Sequence, residues 1–467
     1  MYRIFVNGVY TEPEIIKVSA YPFNRVWPGK QRNKSQSEIG YMLRIFGSGK
    51  LNISVETDFC ISEVIVRPLS KKTTVISNGK RADFIIEENG KYSLEFNDHH
   101  HAIHLIYQEE LTLPTAKPTY SFDSGHHYIG LVRLNAGESV YISKNAVVHG
   151  SFLGCGASNI SIYGNGMLCG DSEIRTQKHG DIGFDNENVF DPTLVHTYGG
   201  IRMYQCSDIS IRGITVTDTA SYAISFFASK NIFIEDVNVL GLWKYNTDGI
   251  DFFNSSNIEV KNCFIRSFDD CMCMKGITAF SDMNTENAHI ENCVFWCDWG
   301  KNIDIGLATA CEEIKNIIWE NCDIIHNNGT CIAISNGQWA DVHDVLIKNF
   351  NIEYSAHTDI PYIQKKDSDE YPVGSDFKPY VPKLICITDE RRNWQGNISY
   401  EDCRTKIRNI KICEINVIMD KAIECKPDIQ IKKITDKSVF ENININNVLF
   451  NGEKQDSEYT NFREIKD

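Results

Sequence analysis

The sequence lacks long apolar runs: no stretch approaches the roughly 18 consecutive apolar residues that a membrane-spanning helix needs. The N-terminus, MYRIFVNGVYTEPE, also lacks the apolar segment and the small-residue cleavage site of a secretory signal peptide. We therefore expect no membrane partner. We expect a cytoplasmic protein, or a secreted one if a signal segment has been removed.

Basic residues are outnumbered by acidic ones. Lys and Arg total 47 against 62 Asp and Glu, which gives a formal net charge of −15. Nucleic-acid-binding proteins neutralise phosphates with surfaces rich in Lys and Arg, so this balance argues against a nucleic acid partner. It also disfavours a polyanionic substrate, although a local basic pocket can override the total charge.

The 16 cysteines include no CxxC pair with the spacing of zinc ligands. Many lie inside strand-like runs, as Cys271, Cys273, Cys293 and Cys297 do. A secreted chain with this many cysteines should show a disulfide framework, so we interpret them as reduced, buried thiols that behave as small apolar residues. We predict no metal ion and no cofactor.

Helical periodicity is scarce, and from about residue 150 a short phrase recurs along the chain. A small or polar residue precedes Asn or Asp, and an apolar-x-apolar triplet follows. The Asn or Asp of the phrase is Asn159, Asp208, Asn231, Asn257, Asn316, Asp344, Asn409 or Asn442. Consecutive phrases lie 23 residues apart at Asp208 and Asn231, and the larger gaps leave room for further coils and inserted loops. One strand triplet per repeat at this period indicates a solenoid, and the LxxLxLxxN frame of leucine-rich repeats is absent.

We predict an all-β chain in two parts. Residues 1–115 lack the phrase and show alternating strands between turn signals, which is typical of a small antiparallel β-sandwich. Residues 116–467 are predicted to form a right-handed parallel β-helix, whose triplets turn apolar side chains inwards and stack from coil to coil. Asn suits the turns because it tolerates left-handed backbone conformations and can stack on the next Asn. An insertion near residues 354–383 is expected to form a loop over one face.

Three carboxylates form the most informative cluster in the sequence. Asp248 lies in Asn-Thr-Asp-Gly, and Asp269 and Asp270 follow 21 and 22 residues later. This separation is close to one coil, so the carboxylates should lie on adjacent coils about 4.8 Å apart. Like charges at this range raise one pKa, which supplies the protonated acid and the ionised carboxylate that glycoside hydrolysis needs. The alternative, that these residues merely cap turns, does not require three carboxylates at coil spacing.

The motifs NTDGID and DDCMCMKG resemble those of the polygalacturonase family, glycoside hydrolase family 28. The related dextranase and isopullulanase family, family 49, shares the fold and the three aspartates, and an N-terminal sandwich is similar to its architecture. The resemblance covers most of the chain and implies a pectin-lyase-like β-helix. It also implies that Asp269 is the general acid, and that Asp248 and Asp270 position and deprotonate the attacking water, with inversion of configuration.

Two departures from the polygalacturonase pattern concern the substrate. Lys301 stands where the family has histidine, and the strand Thr330–Ser335 lacks the arginine and lysine that meet the galacturonate carboxylate in the family. We therefore expect an oligosaccharide or polysaccharide substrate other than polygalacturonate. The predicted substrate-binding residues combine polar groups from the motifs with aromatic rings that can stack on sugars. They are Asn246, Lys275, Trp299, Lys301, Asp304, Trp243 and Trp339.

Other interpretations remain open from sequence. A carbohydrate-binding β-helix without turnover would not need Asp248, Asp269 and Asp270 together. A polysaccharide lyase on the same fold would need a basic residue or calcium beside a uronate, and no basic partner is evident. The cluster Asp98–His101 with His104 is interpreted as a polar turn, and Arg391, Arg392 and Trp394 are weak candidates for substrate contacts. The sequence leaves the oligomeric state open.

Overall fold

The computed structural model describes residues 2–19, 25–26, 30–31, 37–111, 117–173, 198–244, 246–358, 380–390 and 405–454. Within these ranges the chain is almost entirely β-structure, with three short 3-10 helices at Leu69–Lys71, Gly170–Ser172 and Thr278–Phe280. None of the described helices is long and apolar enough to cross a membrane.

The first twelve strands build an N-terminal β-sandwich. Their bounds are β1 Tyr2–Val6, β2 Val9–Thr11, β3 Glu14–Ser19, β4 Arg25–Val26, β5 Lys30–Gln31, β6 Ser37–Phe46, β7 Leu51–Thr57, β8 Val64–Arg67, β9 Thr74–Asn78, β10 Arg81–Ile86, β11 Gly90–Phe96 and β12 Asp98–Gln108. One five-stranded sheet has the order β2-β1-β7-β10-β9, the other has the order β3-β6-β12-β11-β8, and β4 pairs with β5. All these pairs are antiparallel except β6 with β12, which is parallel.

The remaining strands form one 27-stranded sheet that coils as a right-handed parallel β-helix, which confirms the predicted fold class. Its strands are β13 Tyr120–Phe122, β14 Gly125–Leu134, β15 Ser139–Ile142, β16 Ala146–Cys155, β17 Ser158–Gly164, β18 Met167–Cys169, β19 Ile201–Tyr204, β20 Ser207–Arg212, β21 Thr215–Thr217, β22 Ile224–Phe227, β23 Lys230–Glu235, β24 Asn238–Val239, β25 Ile250–Phe253, β26 Ser256–Lys261, β27 Phe264–Ser267, β28 Met272–Gly276, β29 Thr285–Glu291, β30 Val294–Cys297, β31 Lys301–Thr309, β32 Glu313–His326, β33 Thr330–Asn336, β34 Asp341–Tyr354, β35 Lys383–Thr388, β36 Lys406–Met419, β37 Ile429–Lys432, β38 Val439–Phe450 and β39 Glu453–Lys454.

Parallel pairing sorts most of these strands into three faces. We call β17, β20, β23, β26 and β29 the ladder face, β18, β21, β24, β27 and β30 the docking face, and β19, β22, β25, β28, β31, β33 and β35 the site face. The longer strands β32, β34, β36 and β38 continue the ladder face at their amino ends. Every third strand in the chain therefore contributes to the same face, as the recurring phrase predicts.

The recurring Asn and Asp residues stack along the ladder face. Asn231 donates its amide to Asp208 over 2.8 Å, and Asn257 donates to Asn231 over 2.9 Å. Asn287 and Asn316 extend the same ladder, and each residue named here has φ between 55° and 57°. This left-handed conformation is accessible to Asn and Asp at low cost, so the structure confirms the role predicted for these turns. Asn287 marks the coil that fills the sequence gap between Asn257 and Asn316.

The sandwich packs against the outside of the docking face. Ile16, Met42 and Ile106 of the sandwich join Phe264 and Trp296 of the β-helix in one buried apolar cluster. Buried polar contacts cross the same interface, and they include Arg67 with Glu353 and His104 with Arg266. Residues Asp98–His101 and His104 belong to strand β12, so the interpretation of this segment as a polar turn is wrong. Pairing with β6 and β11 and burial against Trp296 override its polar composition.

All 15 described cysteines are free and 11 of them are buried, which confirms their interpretation as apolar-type thiols. Several predictions fall on residues outside the described ranges. They are the boundary near residue 115, most of the insertion at residues 354–383, and the side chains of Arg391, Arg392 and Trp394. The described ends of the insertion are Tyr354, where β34 ends, and Lys383, where β35 begins.

Candidate active site

Three consecutive strands of the site face carry outward-facing polar residues in register. Asp251 of β25 lies opposite Cys273 of β28, and Cys273 lies opposite Asp304 of β31. Their chain neighbours Phe252, Met274 and Ile305 belong to the apolar core of the β-helix. Because successive side chains of a strand point to opposite sides, Asp251, Cys273 and Asp304 form a row on the outer surface of the site face.

The three predicted catalytic residues lie in the turns that enter this face. Asp248 precedes β25, and Asp269 and Asp270 precede β28 one coil later. The Gly249 N–H donates to the Asp270 carbonyl over 2.8 Å, and the Asp269 N–H donates to the Thr247 carbonyl over 3.4 Å. The structure therefore brings the three aspartates onto adjacent coils, as their spacing predicts. Between 3% and 9% of each residue is exposed, so the group is nearly buried but still reaches the surface.

Gly300 lets the next turn approach these aspartates closely. A Cβ atom at this position would lie 2.6 Å from both the backbone N and Oδ1 of Asp270. Real Cβ atoms do not approach other atoms this closely, so a side chain here would displace the turn. The close approach allows the Lys301 N–H to donate to Oδ1 of Asp270 over 2.8 Å, which fixes the orientation of that carboxylate.

Two lysines each join a predicted catalytic carboxylate to a second, buried carboxylate. The Lys275 ammonium lies 3.0 Å from Oδ2 of Asp248 and 3.0 Å from Oδ2 of Asp251. The Lys301 ammonium lies 2.6 Å from Oδ2 of Asp304 and 3.8 Å from Oδ2 of Asp270. Both Asp251 and Asp304 are fully buried. The same arrangement thus occurs twice, one coil apart.

Burial and these charges move the pKa values of the carboxylates apart. Burial raises the pKa of Asp248 well above its usual value, and the neighbouring aspartates add to this effect while Lys275 opposes it. Burial also acts on Asp270, but the charges of Lys301 and Lys275 outweigh it, so the pKa of Asp270 lies below its usual value. Burial raises the pKa of Asp304 to about 6 against the opposing charge of Lys301. The site can therefore hold a proton on some carboxylates and keep Asp270 ionised, which is the division that acid–base catalysis requires.

Two of the predicted aromatic residues lie in the turns beside the carboxylates. Trp299 is half-buried and stacks on Phe268, with ring centroids 5.8 Å apart and planes inclined by 13°. Trp243 lies in the turn before Asp248, but its indole N–H donates to Asp218 over 2.8 Å. The ammoniums of Lys17 and Lys244 lie 5.6 and 5.1 Å from its ring centroid, so Trp243 is already engaged at the contact with the sandwich.

The remaining predicted contacts are split between the two ends of the site face. Asn246 lies in the same turn as Asp248, and its buried side-chain Oδ1 has no hydrogen-bond partner among the residues that the structure describes. Trp339 follows the carboxyl end of β33, whereas Asp269 and Asp270 precede the amino end of β28. Because these strands are parallel, Trp339 lies at the opposite end of the face from the aspartates.

Two residues at the centre of the site were not predicted from the sequence. Asp251 lies two residues after Gly249 in the motif NTDGID, and Cys273 donates its thiol to Asp270 over 3.5 Å. Strand alternation is the signal that could have found them, since Asp251, Cys273 and Lys275 occupy alternate positions on neighbouring strands. Tyr222 was also missed: its ring centroid lies 5.4 Å from the Lys275 ammonium.

Groups that could hold a metal ion occur here, because Cys273 lies close to Asp248 and Asp251 and also to Asp270 and Asp304. In each group a lysine ammonium already contacts both carboxylates. The five carboxylates of Asp248, Asp251, Asp269, Asp270 and Asp304 and the ammoniums of Lys275 and Lys301 form a largely buried cluster. It has more acidic than basic groups and is suited to proton transfer.

The sequence is similar to those of known glycoside hydrolases. The chain is 26% identical over 230 residues to a probable exopolygalacturonase B of Neosartorya fischeri, covering 46% of this chain and 47% of that protein. It is 25% identical over 246 residues to a dextranase of Arthrobacter globiformis, covering 48% and 35% of the two proteins. The chain thus spans half or less of the length of these relatives.

Solved structures show the same fold. The family 28 exopolygalacturonase of Yersinia enterocolitica superposes with a TM-score of 0.54 and 13% identity, over 87% of this chain and 90% of that one. The model of the glycosyl hydrolases family 28 matches residues 141–426, which include the site face from β19 to β35 and all three aspartates. This chain belongs to the glycosyl hydrolases family 28.

Proposed function

We propose that this protein hydrolyses O-glycosidic bonds of an oligosaccharide or polysaccharide with inversion of configuration, and that the sugar bound at the carboxylates is neutral. The arrangement of Asp248, Asp269 and Asp270 on adjacent coils supports the reaction class. The contacts of Lys275 and Lys301 with two carboxylates each support a neutral rather than an anionic sugar.

In the proposed mechanism Asp269 protonates the leaving oxygen. Asp270, kept ionised by the Lys301 N–H and by the charges of the two lysines, accepts a proton from the attacking water. Asp248, held by Lys275, helps to position that water. The division follows the requirement for one protonated and one ionised carboxyl group across the scissile bond.

The charges at the site favour a neutral sugar. Five carboxylates lie at the site, namely Asp248, Asp251, Asp269, Asp270 and Asp304, and Lys275 and Lys301 each contact two of them. Two further charged groups of the entering turns are paired elsewhere: Lys244 lies 2.8 Å from Asp218, and Asp298 lies 3.4 Å from Arg266. On the next strand, Thr330 lies opposite Lys301 and Ala333 lies opposite Asp304, so neither position supplies a cation. A uronate carboxylate would add a further buried negative charge without a bidentate partner, which costs several kcal/mol.

Two other cations of the site face lie farther from the aspartates. Arg202 of β19 is two coils from Asp251, and its guanidinium lies 3.5 Å from Glu173. Lys383 of β35 lies opposite Thr330, two coils from Lys301. Neither lies on the coils that hold the aspartates, so a carboxylate on the sugar at the scissile bond would not meet them.

Hydrolysis assays on a panel of neutral and uronate-containing oligosaccharides test the proposal. We expect reducing ends to be released from a neutral substrate, and we expect proton NMR during the first turnovers to show the inverted anomer. Asp269→Asn should abolish release. Retention of the anomeric configuration would contradict the mechanism, and an unsaturated product would identify a lyase.

A further inference from the structure

A second cluster of chemically active side chains lies two coils below the turn of Asp248. His149 at the middle of β16 is in register with Cys169 at the end of β18, and Asp171 follows in the 3-10 turn Gly170–Ser172. One imidazole nitrogen, the Cys169 sulfur and one Asp171 oxygen all lie within 4.8 Å of one another. None of these three residues has a role in the proposed hydrolysis.

The imidazole of His149 has a hydrogen-bond partner at each nitrogen and an aromatic ring stacked on its face. Its Nδ1 lies 2.8 Å from Oδ1 of Asp171, and its Nε2 lies 2.9 Å from Nδ1 of His126. The ring of Tyr128 stacks on it with centroids 4.4 Å apart and planes inclined by 11°. These contacts hold Nδ1 of His149 towards the Asp171 carboxylate, and the Cys169 sulfur lies within 4.8 Å of an imidazole nitrogen and of that carboxylate.

The cluster is not a thiol nucleophile with a histidine base. Both imidazole nitrogens of His149 already have partners: Nδ1 donates to the Asp171 carboxylate and Nε2 faces His126, so neither takes a proton from Cys169. Burial also raises the pKa of the Cys169 thiol to about 12, which is the opposite of activation. His149, Cys169 and Asp171 are therefore better suited to bind a ligand than to activate a nucleophile.

We propose that His149 Nδ1, Cys169 Sγ and the Asp171 carboxylate bind a divalent transition metal ion of the zinc class. Nitrogen, sulfur and oxygen donors together suit zinc, whereas calcium and magnesium prefer oxygen alone. His126 accepts the remaining N–H of His149 and acts as a positioning residue for that ligand. Binding displaces the thiol proton of Cys169 to solvent, and water completes the coordination. The ion ties β16 to the turn after β18, in the first coils of the helix.

Titration of chelator-treated protein with Co²⁺ tests this site. We expect a thiolate-to-cobalt charge-transfer band that saturates at a single ion per chain, and we expect Zn²⁺ to remove the band by competition. Cys169→Ser should abolish the band and His149→Ala should abolish saturable binding. His126→Ala should weaken binding by about 10–100-fold, which is typical when a partner of a ligating histidine is removed.

Two matched variants distinguish this site from others in the chain. Cys273→Ser removes the thiol of the groups beside the catalytic aspartates, and His289→Ala removes the imidazole of the half-buried group of His289, Glu291 and Glu320. Both should keep the charge-transfer band. Absence of the band in the wild-type protein would overturn the proposal, and so would its loss in Cys273→Ser with retention in Cys169→Ser.

A measurement on the unmodified protein covers the case in which the variants do not fold. Saturating Zn²⁺ should slow the alkylation of Cys169 in the native wild-type protein, as resolved by peptide mass spectrometry, and should leave the rate at the exposed Cys60 unchanged. Equal alkylation of Cys169 with and without Zn²⁺ would overturn the proposal.

Discussion

The ammonium of Lys301 lies 2.6 Å from Oδ2 of Asp304, a carboxylate with no exposed surface on the same strand. Lys301 keeps 21% of its side chain exposed, against 9% for Lys275, so Lys301 is the lysine of these two pairs that a bound sugar could reach. The buried carboxylate of Asp304 offsets the positive charge of the Lys301 ammonium. This pair decides whether the site presents a cation to an anionic sugar.

Removing the charge of Asp304 should therefore create affinity for a uronate. We expect Asp304→Asn to bind free galacturonate about tenfold more tightly than the wild type, because a hydrogen bond to a charged group contributes about 1.5–3 kcal/mol. Binding of galactose should change little. Calorimetry with both sugars measures this, and the double variant Lys301→Gln, Asp304→Asn should lose the gain. An Asp304→Asn protein that binds both sugars as the wild type does would show that Asp304 does not set the charge of the site.

The same pair predicts a pH dependence of binding. The pKa of Asp304 is raised to about 6, so its carboxylate gains a proton as the pH falls through this value and no longer offsets the charge of Lys301. Galacturonate binding to the wild-type protein should therefore tighten between pH 7 and pH 5. In Asp304→Asn it should stay nearly constant over that range. Tightening of equal size in both proteins would assign the effect to another group.

Asp269→Asn should lower kcat by about 10²–10⁴-fold, because a carboxamide cannot donate the proton that the leaving oxygen needs. The thermal unfolding midpoint should stay close to that of the wild type. Asp208→Asn is the matched control: it makes the same change on the ladder face, where Asn231 and Asn257 already occupy the equivalent positions, and it should keep full activity. A kcat for Asp269→Asn close to the wild-type value would remove Asp269 from the acid role.

Gly300→Ala should reduce kcat by about 10²-fold, since its Cβ would force the turn away from Asp270 and a displacement of about 1 Å can cost that much. The hydrogen bond from the Lys301 N–H to Asp270 would be lengthened or lost. Initial rates and thermal unfolding curves should be measured together. Unchanged activity in a folded variant would show that the orientation of Asp270 is not fixed by this turn.

The cysteines should all be reactive once the protein is unfolded without a reductant. The 15 described cysteines are free, and the backbone N–H of Cys293 donates to Sγ of its neighbour Cys322 over 3.4 Å. Thiol titration in denaturant should therefore recover nearly the full complement of 16. Recovery of fewer than half would contradict the interpretation of reduced, buried thiols.

The features predicted well from sequence are those that repeat. The spacing of Asp208, Asn231 and Asn257 predicted the ladder, and the distance from Asp248 to Asp269 predicted their adjacency on neighbouring coils, because one coil fixes both separations. The repeat says nothing of contacts between distant segments. His104 meets Arg266 across the interface between sandwich and β-helix, 162 residues away, and no local pattern marks that pairing.

The charge arrangement of the site was predictable only in part. The sequence indicated Lys301 and Asp304 as substrate-binding candidates and showed the loss of cations on β33, but it did not show that each lysine joins two carboxylates. That pairing depends on the register of β25, β28 and β31, which brings Lys275 beside Asp251. Trp339 was predicted to bind substrate because it follows the strand Thr330–Ser335 closely in the sequence. It lies at the carboxyl end of β33, whereas the aspartates lie at the amino ends of the parallel strands.

The most direct test of the account is a comparison of initial rates on polygalacturonate and on neutral α-linked oligosaccharides, with Asp269→Asn as the control for contaminating activity. We expect hydrolysis of a neutral substrate that depends on Asp269, and little or no hydrolysis of polygalacturonate. Efficient, saturable cleavage of polygalacturonate by the wild-type protein would contradict the proposed substrate class, and would direct attention to Lys383 or Arg202 as the source of the cation.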